Sequence, residues 1–143
     1  MPRAYWVGWI LGLVLMLGDL LRAEPAAPTV ILHPGVEAKA LSRSELQAIF
    51  AMRRRNWPNG TPIQVFVLPD DHPLHQAFCK QILNVYPHQL RRIWDRGVFS
   101  GTGQAPIEVK SVEEMQDRVA AVEGAIGYVE GTPLASVKTV TVH

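Results

Sequence analysis

Three consecutive arginines (Arg53, Arg54 and Arg55), two histidines three positions apart (His72 and His75), and Ser100-Gly101-Thr102 are the residues of this chain best suited to chemistry. Guanidinium groups recognise anions through charge-assisted hydrogen bonds. The triplet also follows a predicted helix, whose negative C-terminal end favours cations. It therefore has two readings, a solvated cluster or a surface for an anionic ligand or partner. One helical turn would bring the two imidazoles together. A third ligand of clear spacing is missing, so no metal is expected there. Ser100-Gly101-Thr102 offers backbone donors and hydroxyls, but it leads towards a strand, with no helix dipole behind it. Its alternative reading is a tight connection. Cys79 is the single cysteine. It lies beside Phe78 in a helical pattern with no base nearby in sequence, and is read as a buried small hydrophobe. No nucleophile elbow, phosphate loop or zinc-protease motif is present, so neither enzymatic activity nor a cofactor is expected.

Residues 1–23 read as a secretory signal: Arg3 near the start, an apolar run from Trp6 to Leu21 broken by Asp19, and Ala23 before Glu24-Pro25. A spanning helix wants roughly 20 apolar residues, and Asp19 cuts this run short. The expected location is the periplasm or outside the cell, the alternative being an N-terminal anchor formed by an uncleaved leader. Residues 24–28 are a short linker and 29–143 one domain. Without the leader the charged residues are balanced, twelve basic against twelve acidic. A neutral domain lacks the basic field that nucleic-acid binding requires.

Strand and helix patterns alternate along the domain. Thr29–His33 is a β-branched apolar run stopped by Pro34-Gly35. Ser42 and Glu45 have capping-box spacing, and Leu46, Ile49 and Phe50 form the buried stripe of the helix that follows. Asn56-Trp57-Pro58-Asn59-Gly60 is turn chemistry, and Ile63–Leu68 is a second strand. Asp71 is placed to cap a helix carrying Leu74, Phe78, Ile82 and Leu83. Pro87 suits the first turn of the next, with Leu90, Ile93 and Trp94 inward and Arg91, Arg92 and Arg96 on its exposed face. Ile107–Val109 follows as a strand. Ser111 with Glu114 marks a second capping box, and Gly124 closes that helix. Ala125–Val129 and Val137–Val142 are the final strands. This order predicts an α/β layer structure, a central sheet flanked by helices.

Leu41 to Gly60, the Gly101-x-Gly103-x-x-Pro106 loop and Gly124-Ala-Ile-Gly-Tyr-Val129 together resemble phosphate-binding-protein-like domains of ABC importers. The resemblance spans roughly Thr29 to Val142. It implies a single lobe of a type II periplasmic-binding fold and, as function, substrate binding for phosphate or another small oxyanion. Arg53, Arg54, Arg55, His72, His75, Ser100 and Thr102 are the candidate ligand-binding residues. In that family the anion lies at a helix N-terminus just after a strand, held by Ser-Gly-Thr and an arginine. The matching stretch here is Pro69-Asp70-Asp71-His72-Pro73, where two carboxylates would repel a phosphate dianion. The alternative function is therefore a non-transport periplasmic interaction module that keeps the fold without the ligand. A lone lobe encloses only half a ligand, so a protein partner or a second copy would complete the cleft.

Overall fold

The computed structural model describes residues 27–143, so the expected leader lies outside the described residues. Strand β1 (Pro28–Leu32) is buried along nearly all its length and is followed by the two-residue β2 (Ala40–Leu41). Helix α1 (Arg43–Phe50) starts on the expected capping box. Ser42 Oγ accepts the Glu45 N–H at 3.1 Å, and the Glu45 carboxylate accepts the Ser42 N–H at 2.7 Å. The Ser42 N–H, the largest influence, holds the Glu45 carboxyl below its ordinary range, with smaller help from the Ser42 hydroxyl and Arg54.

Strand β3 (Gln64–Val67) leads into α2 (Pro73–Phe78), which continues as a π-helical turn over Cys79–Leu83 and stops at left-handed Asn84. Next come α3 (Pro87–Ser100), β4 (Ile107–Glu108), α4 (Val112–Ala121) and β5 (Ala125–Glu130). The expected last strand is two pieces, β6 (Lys138–Thr139) and β7 (Thr141–Val142). They serve different partners: β6 joins the main sheet and β7 pairs with β2. A five-stranded mixed sheet results, in the order β4-β3-β5-β1-β6. β3 is parallel to both β4 and β5, whereas β1 runs antiparallel to β5 and β6.

The core owes its order to aromatic rings placed by three elements. Phe78 stacks on Tyr128 with centroids 4.0 Å apart, and Phe50 meets Phe78 edge-on at 4.8 Å. Among the described residues both tryptophans are buried and spend their N–H on backbone carbonyls, Trp57 on Gly124 at 3.0 Å and Trp94 on Phe50 at 2.8 Å. Each indole is thereby an anchor between elements distant in sequence, as expected for a buried ring with a polar edge. Gly127 lets α4 approach β5 closely, since a Cβ there would come within 2.5 Å of Met115 Sδ.

Two caps differ from expectation. His72, and not Asp71, is the N-cap of α2, its Nδ1 accepting the Leu74 N–H at 3.1 Å. Pro73 takes the first helical position and keeps its predecessor extended, which moves the cap one residue on. At α4, Ser111 Oγ accepts the Glu114 N–H as expected, but the Glu114 carboxylate reaches the N–H of Lys110.

Candidate functional site

Among the described residues, three places concentrate the candidate polar side chains. The first is the carboxyl end of β3. Asp70 leaves the strand there and meets Arg91, which α3 carries across from twenty-one positions away. The pair is bidentate, both N···O distances being 3.0 Å. Arg91 was expected on an exposed helix face. Instead it is half-buried, lies over the Trp94 ring at 5.1 Å, and has the Glu108 carboxylate 3.6 Å away. The Arg91 hydrogen bonds and charge pull the Asp70 carboxyl below its ordinary value against a smaller opposing effect of burial. The fork that would grip an oxyanion here is already filled by a carboxylate of the same chain.

His75, only 1% exposed, lies behind this pair and is out of reach of a ligand from solution. Tyr128 Oη accepts the Leu68 N–H at 2.8 Å, so its own hydrogen goes to His75 Nδ1. The neutral imidazole then carries its proton on Nε2, facing Cys79 Sγ at 3.5 Å and Asp70 Oδ1 at 3.8 Å. Burial pushes the imidazole pKa down, more than the Asp70 charge pushes it up, with Arg91 and His72 adding to the depression. Burial likewise pushes the Cys79 thiol up to about 12, with a contribution from Asp70. Contrary to the expectation of no base nearby in sequence, His75 stands one helical turn before Cys79, but burial keeps the thiol far from ionisation and leaves it a poor nucleophile at neutral pH. His72 spends its Nδ1 on the α2 cap.

The depressed His75 pKa makes the fold acid-sensitive. Below the ordinary imidazole value of 6.5 the unfolded chain binds a proton that the folded chain does not. Stability therefore falls as pH drops from 6.5 towards the folded value, by up to about 1.4 kcal/mol per pH unit. Urea midpoints at pH 7.5 and 5.5 measure this, and His75→Gln is expected to flatten the difference. The Asp70 contribution belongs to a separate window, being lost only as pH falls through the carboxylate range below 3.8.

The arginine triplet does not act as one cluster. Met52, at φ 62°, turns the chain after α1, and the three side chains diverge. Arg54 goes to one side, where it meets Glu45 at 3.3 Å in a cavity of about 310 Å³ also lined by Glu37 and Glu123. Three carboxylates against one guanidinium suit no oxyanion.

Arg53 and Arg55 go to the other side and line an open groove of about 320 Å³ between the ends of α1 and α3. Thr102, Gly103 and Gln104 form its rim, and Ala51, Met52, Ile93, Trp94 and Gly97 complete the lining. None of these residues is acidic. Among the described residues, neither Arg53 nor Arg55 has a carboxylate within 4.0 Å. Arg55 Nη2 donates to the Thr102 carbonyl. Ser100 Oγ bonds Thr102 Oγ1 at 2.7 Å and the Gly97 carbonyl at 3.2 Å, tying the loop to the end of α3. The loop lies directly on the helix at Gly97, where a Cβ on Gly103 would come 3.3 Å from the Gly97 Cα. Of the seven candidate residues, Arg53, Arg55 and Thr102 thus line one groove with Ser100 bracing it. Arg54, His72 and His75 stand elsewhere.

No family model matches the sequence, and no curated protein matches it. Solved structures do share its shape, and they define the fold as a periplasmic-binding-protein-like lobe. Within that class the likeness runs to phosphate ABC transporter substrate-binding proteins. An ABC-type phosphate transport receptor from Vibrio cholerae superposes with a TM-score of 0.65 at 15% identity, over 82% of this chain and 47% of that one. A putative phosphate ABC transporter substrate-binding protein with bound phosphate from Clostridium perfringens gives 0.65 at 21% identity, over 82% and 45%. PstS from Borrelia burgdorferi gives 0.64 at 16% identity, over 84% and 49%. The chain spans about half the length of these structures. No helix among the described residues is long and apolar enough to cross a membrane.

Proposed function

We propose that this chain is a non-enzymatic solute-receptor lobe that binds a small oxyanion in the groove between α1 and α3, Arg53 and Arg55 being the anion-binding residues. On this reading residues 1–23 direct export and are removed, and the domain from residue 29 works in the periplasm or outside the cell. The observation that carries the reading is two guanidinium groups in a groove with no carboxylate in its lining. The Vibrio cholerae protein with this fold is a phosphate transport receptor and the Clostridium perfringens one holds bound phosphate, which supports the same class of ligand. The carboxyl end of β3 is not the proposed place, because Asp70 already satisfies Arg91 there.

Thermal unfolding with added phosphate tests this. A ligand at a hundred times its dissociation constant stabilises by about 2.7 kcal/mol. Phosphate and sulfate at millimolar concentration are expected to raise the melting temperature of the native chain and leave a double variant, Arg53→Ala with Arg55→Ala, unmoved. Both arginines are exposed and the one hydrogen bond lost, from Arg55 to the Thr102 carbonyl, lies at the surface, so the variant is expected to stay folded with a loss of about 1 kcal/mol or less. Equal shifts in the two proteins would refute the groove.

The Asp70–Arg91 pair favours a second reading, an interaction module that keeps the receptor fold without its ligand. Absence of any shift with either anion would favour that reading.

A further inference from the structure

We propose that the groove takes a phosphomonoester bearing a short apolar body in preference to inorganic phosphate; this rests on the oxyanion reading of the same groove. Size is the first reason. Sites for organic ligands begin at about 300 Å³, and this groove of about 320 Å³ leaves most of its volume unfilled by a five-atom oxyanion.

Lining chemistry is the second reason. Arg53 and Arg55 supply two positive charges, matching the charge of about −1.5 to −2 that a phosphomonoester carries at neutral pH. Met52 and Ile93 supply an apolar surface that a bare anion would leave in contact with water, with the buried Trp94 ring behind them. Met52 and Ile93 are only half-buried by the protein itself, so they have area left to cover. Methionine adapts its shape to irregular apolar partners. Trp94 is held by its N–H on the Phe50 carbonyl and cannot swing away.

The third reason is preorganisation. The Gly97–Gly103 approach and the Ser100–Thr102 hydrogen bond fix the loop against α3, and Arg55 is tied to the Thr102 carbonyl. A guanidinium already held in place loses less freedom when an anion arrives. The Gln104 side-chain amide at the rim has donors for the remaining phosphoryl oxygens.

Calorimetric titration of the purified chain with phenyl phosphate and, separately, with inorganic phosphate tests the proposal. Phenyl phosphate is expected to bind about tenfold tighter, the difference that burial of a small apolar body confers. Arg55→Ala is expected to weaken both ligands about tenfold or more, through loss of charge-assisted hydrogen bonds. Ile93→Ser removes apolar wall at a half-exposed position, and is expected to weaken phenyl phosphate about threefold while leaving inorganic phosphate unchanged. Circular dichroism confirms the fold of each variant. Equal affinity for the two ligands overturns the ester preference and leaves the oxyanion reading standing. Binding of neither ligand overturns both. Phenyl phosphate affinity unaltered by Ile93→Ser in a folded protein overturns the apolar wall.

Discussion

Gly124→Ala is expected to destabilise the domain by about 3 kcal/mol or more, or to prevent it from folding. Gly124 sits at φ 76°, and a Cβ there would stand 2.2 Å from the Pro62 carbonyl oxygen and 3.1 Å from Thr61 Cγ2. The nearest obstacle is backbone, so no rotamer change relieves it. Nor can the residue simply move. Its carbonyl accepts the Trp57 N–H at 3.0 Å and the Gln64 N–H at 3.2 Å, joining the Trp-Pro-x-Gly turn, the start of β3 and the start of β5. Gly60 provides the control. It has φ 91° but nothing within 4 Å of a built Cβ. Its alanine variant carries only the left-handed penalty, about 1–2 kcal/mol. Urea unfolding of the two variants reads the difference directly, and equal losses would mean that the turn is not packed against β5 as described.

Tyr128→Phe comes next in size, with an expected loss of about 2–4 kcal/mol. The ring would still stack on Phe78, so little apolar burial changes. What disappears is one hydroxyl that serves two buried groups, the Leu68 N–H and His75 Nδ1. Each would be left without a partner where water does not reach, and an unsatisfied buried group costs about 1–3 kcal/mol. A midpoint unchanged by the substitution would rule out this hydrogen-bond pattern. Because Tyr128 sets the histidine tautomer, the same variant is also expected to alter the acid sensitivity assigned to His75.

Local chemistry made much of the fold legible in the sequence. Ser42 and Glu45 form their capping box because both partners lie within one helical turn. Pro87 starts α3 because proline suits a position whose N–H would be unbonded anyway. Asp71 failed as a cap for an equally local reason, Pro73, whose effect on the helix start outweighs a carboxylate one residue too early.

Contacts between distant segments were not legible. Arg91 has the spacing of an exposed helical residue, and nothing in the chain near it announces Asp70 twenty-one positions back. Arg53, Arg54 and Arg55 read as one patch because they are adjacent. The left-handed turn at Met52 sends them to two different cavities. Ser100-Gly101-Thr102 had suitable residues and no visible partner. Arg55, forty-seven positions earlier, supplies one once Gly97 and Gly103 let the loop lie on α3.

The receptor fold and the anion-binding groove rest on different features of the molecule. The receptors define the shape, whereas the β3 end of this chain is closed by its own ion pair. Arg53, Arg55 and the loop at Thr102 and Gly103 lie within the stretches that carry the resemblance, but the anion position that the resemblance implies is the β3 end and not this groove. Its candidacy rests on charge, space and a braced loop.

Amide chemical-shift mapping with phenyl phosphate tests the central claim most directly, because it reports where an anion sits as well as whether it binds. The predicted result is a saturable movement of the Arg53, Arg55, Thr102, Gly103 and Gln104 amides, with Asp70 to Leu74 left still. Movement centred on Asp70 to Leu74, or no saturable movement anywhere, would contradict it.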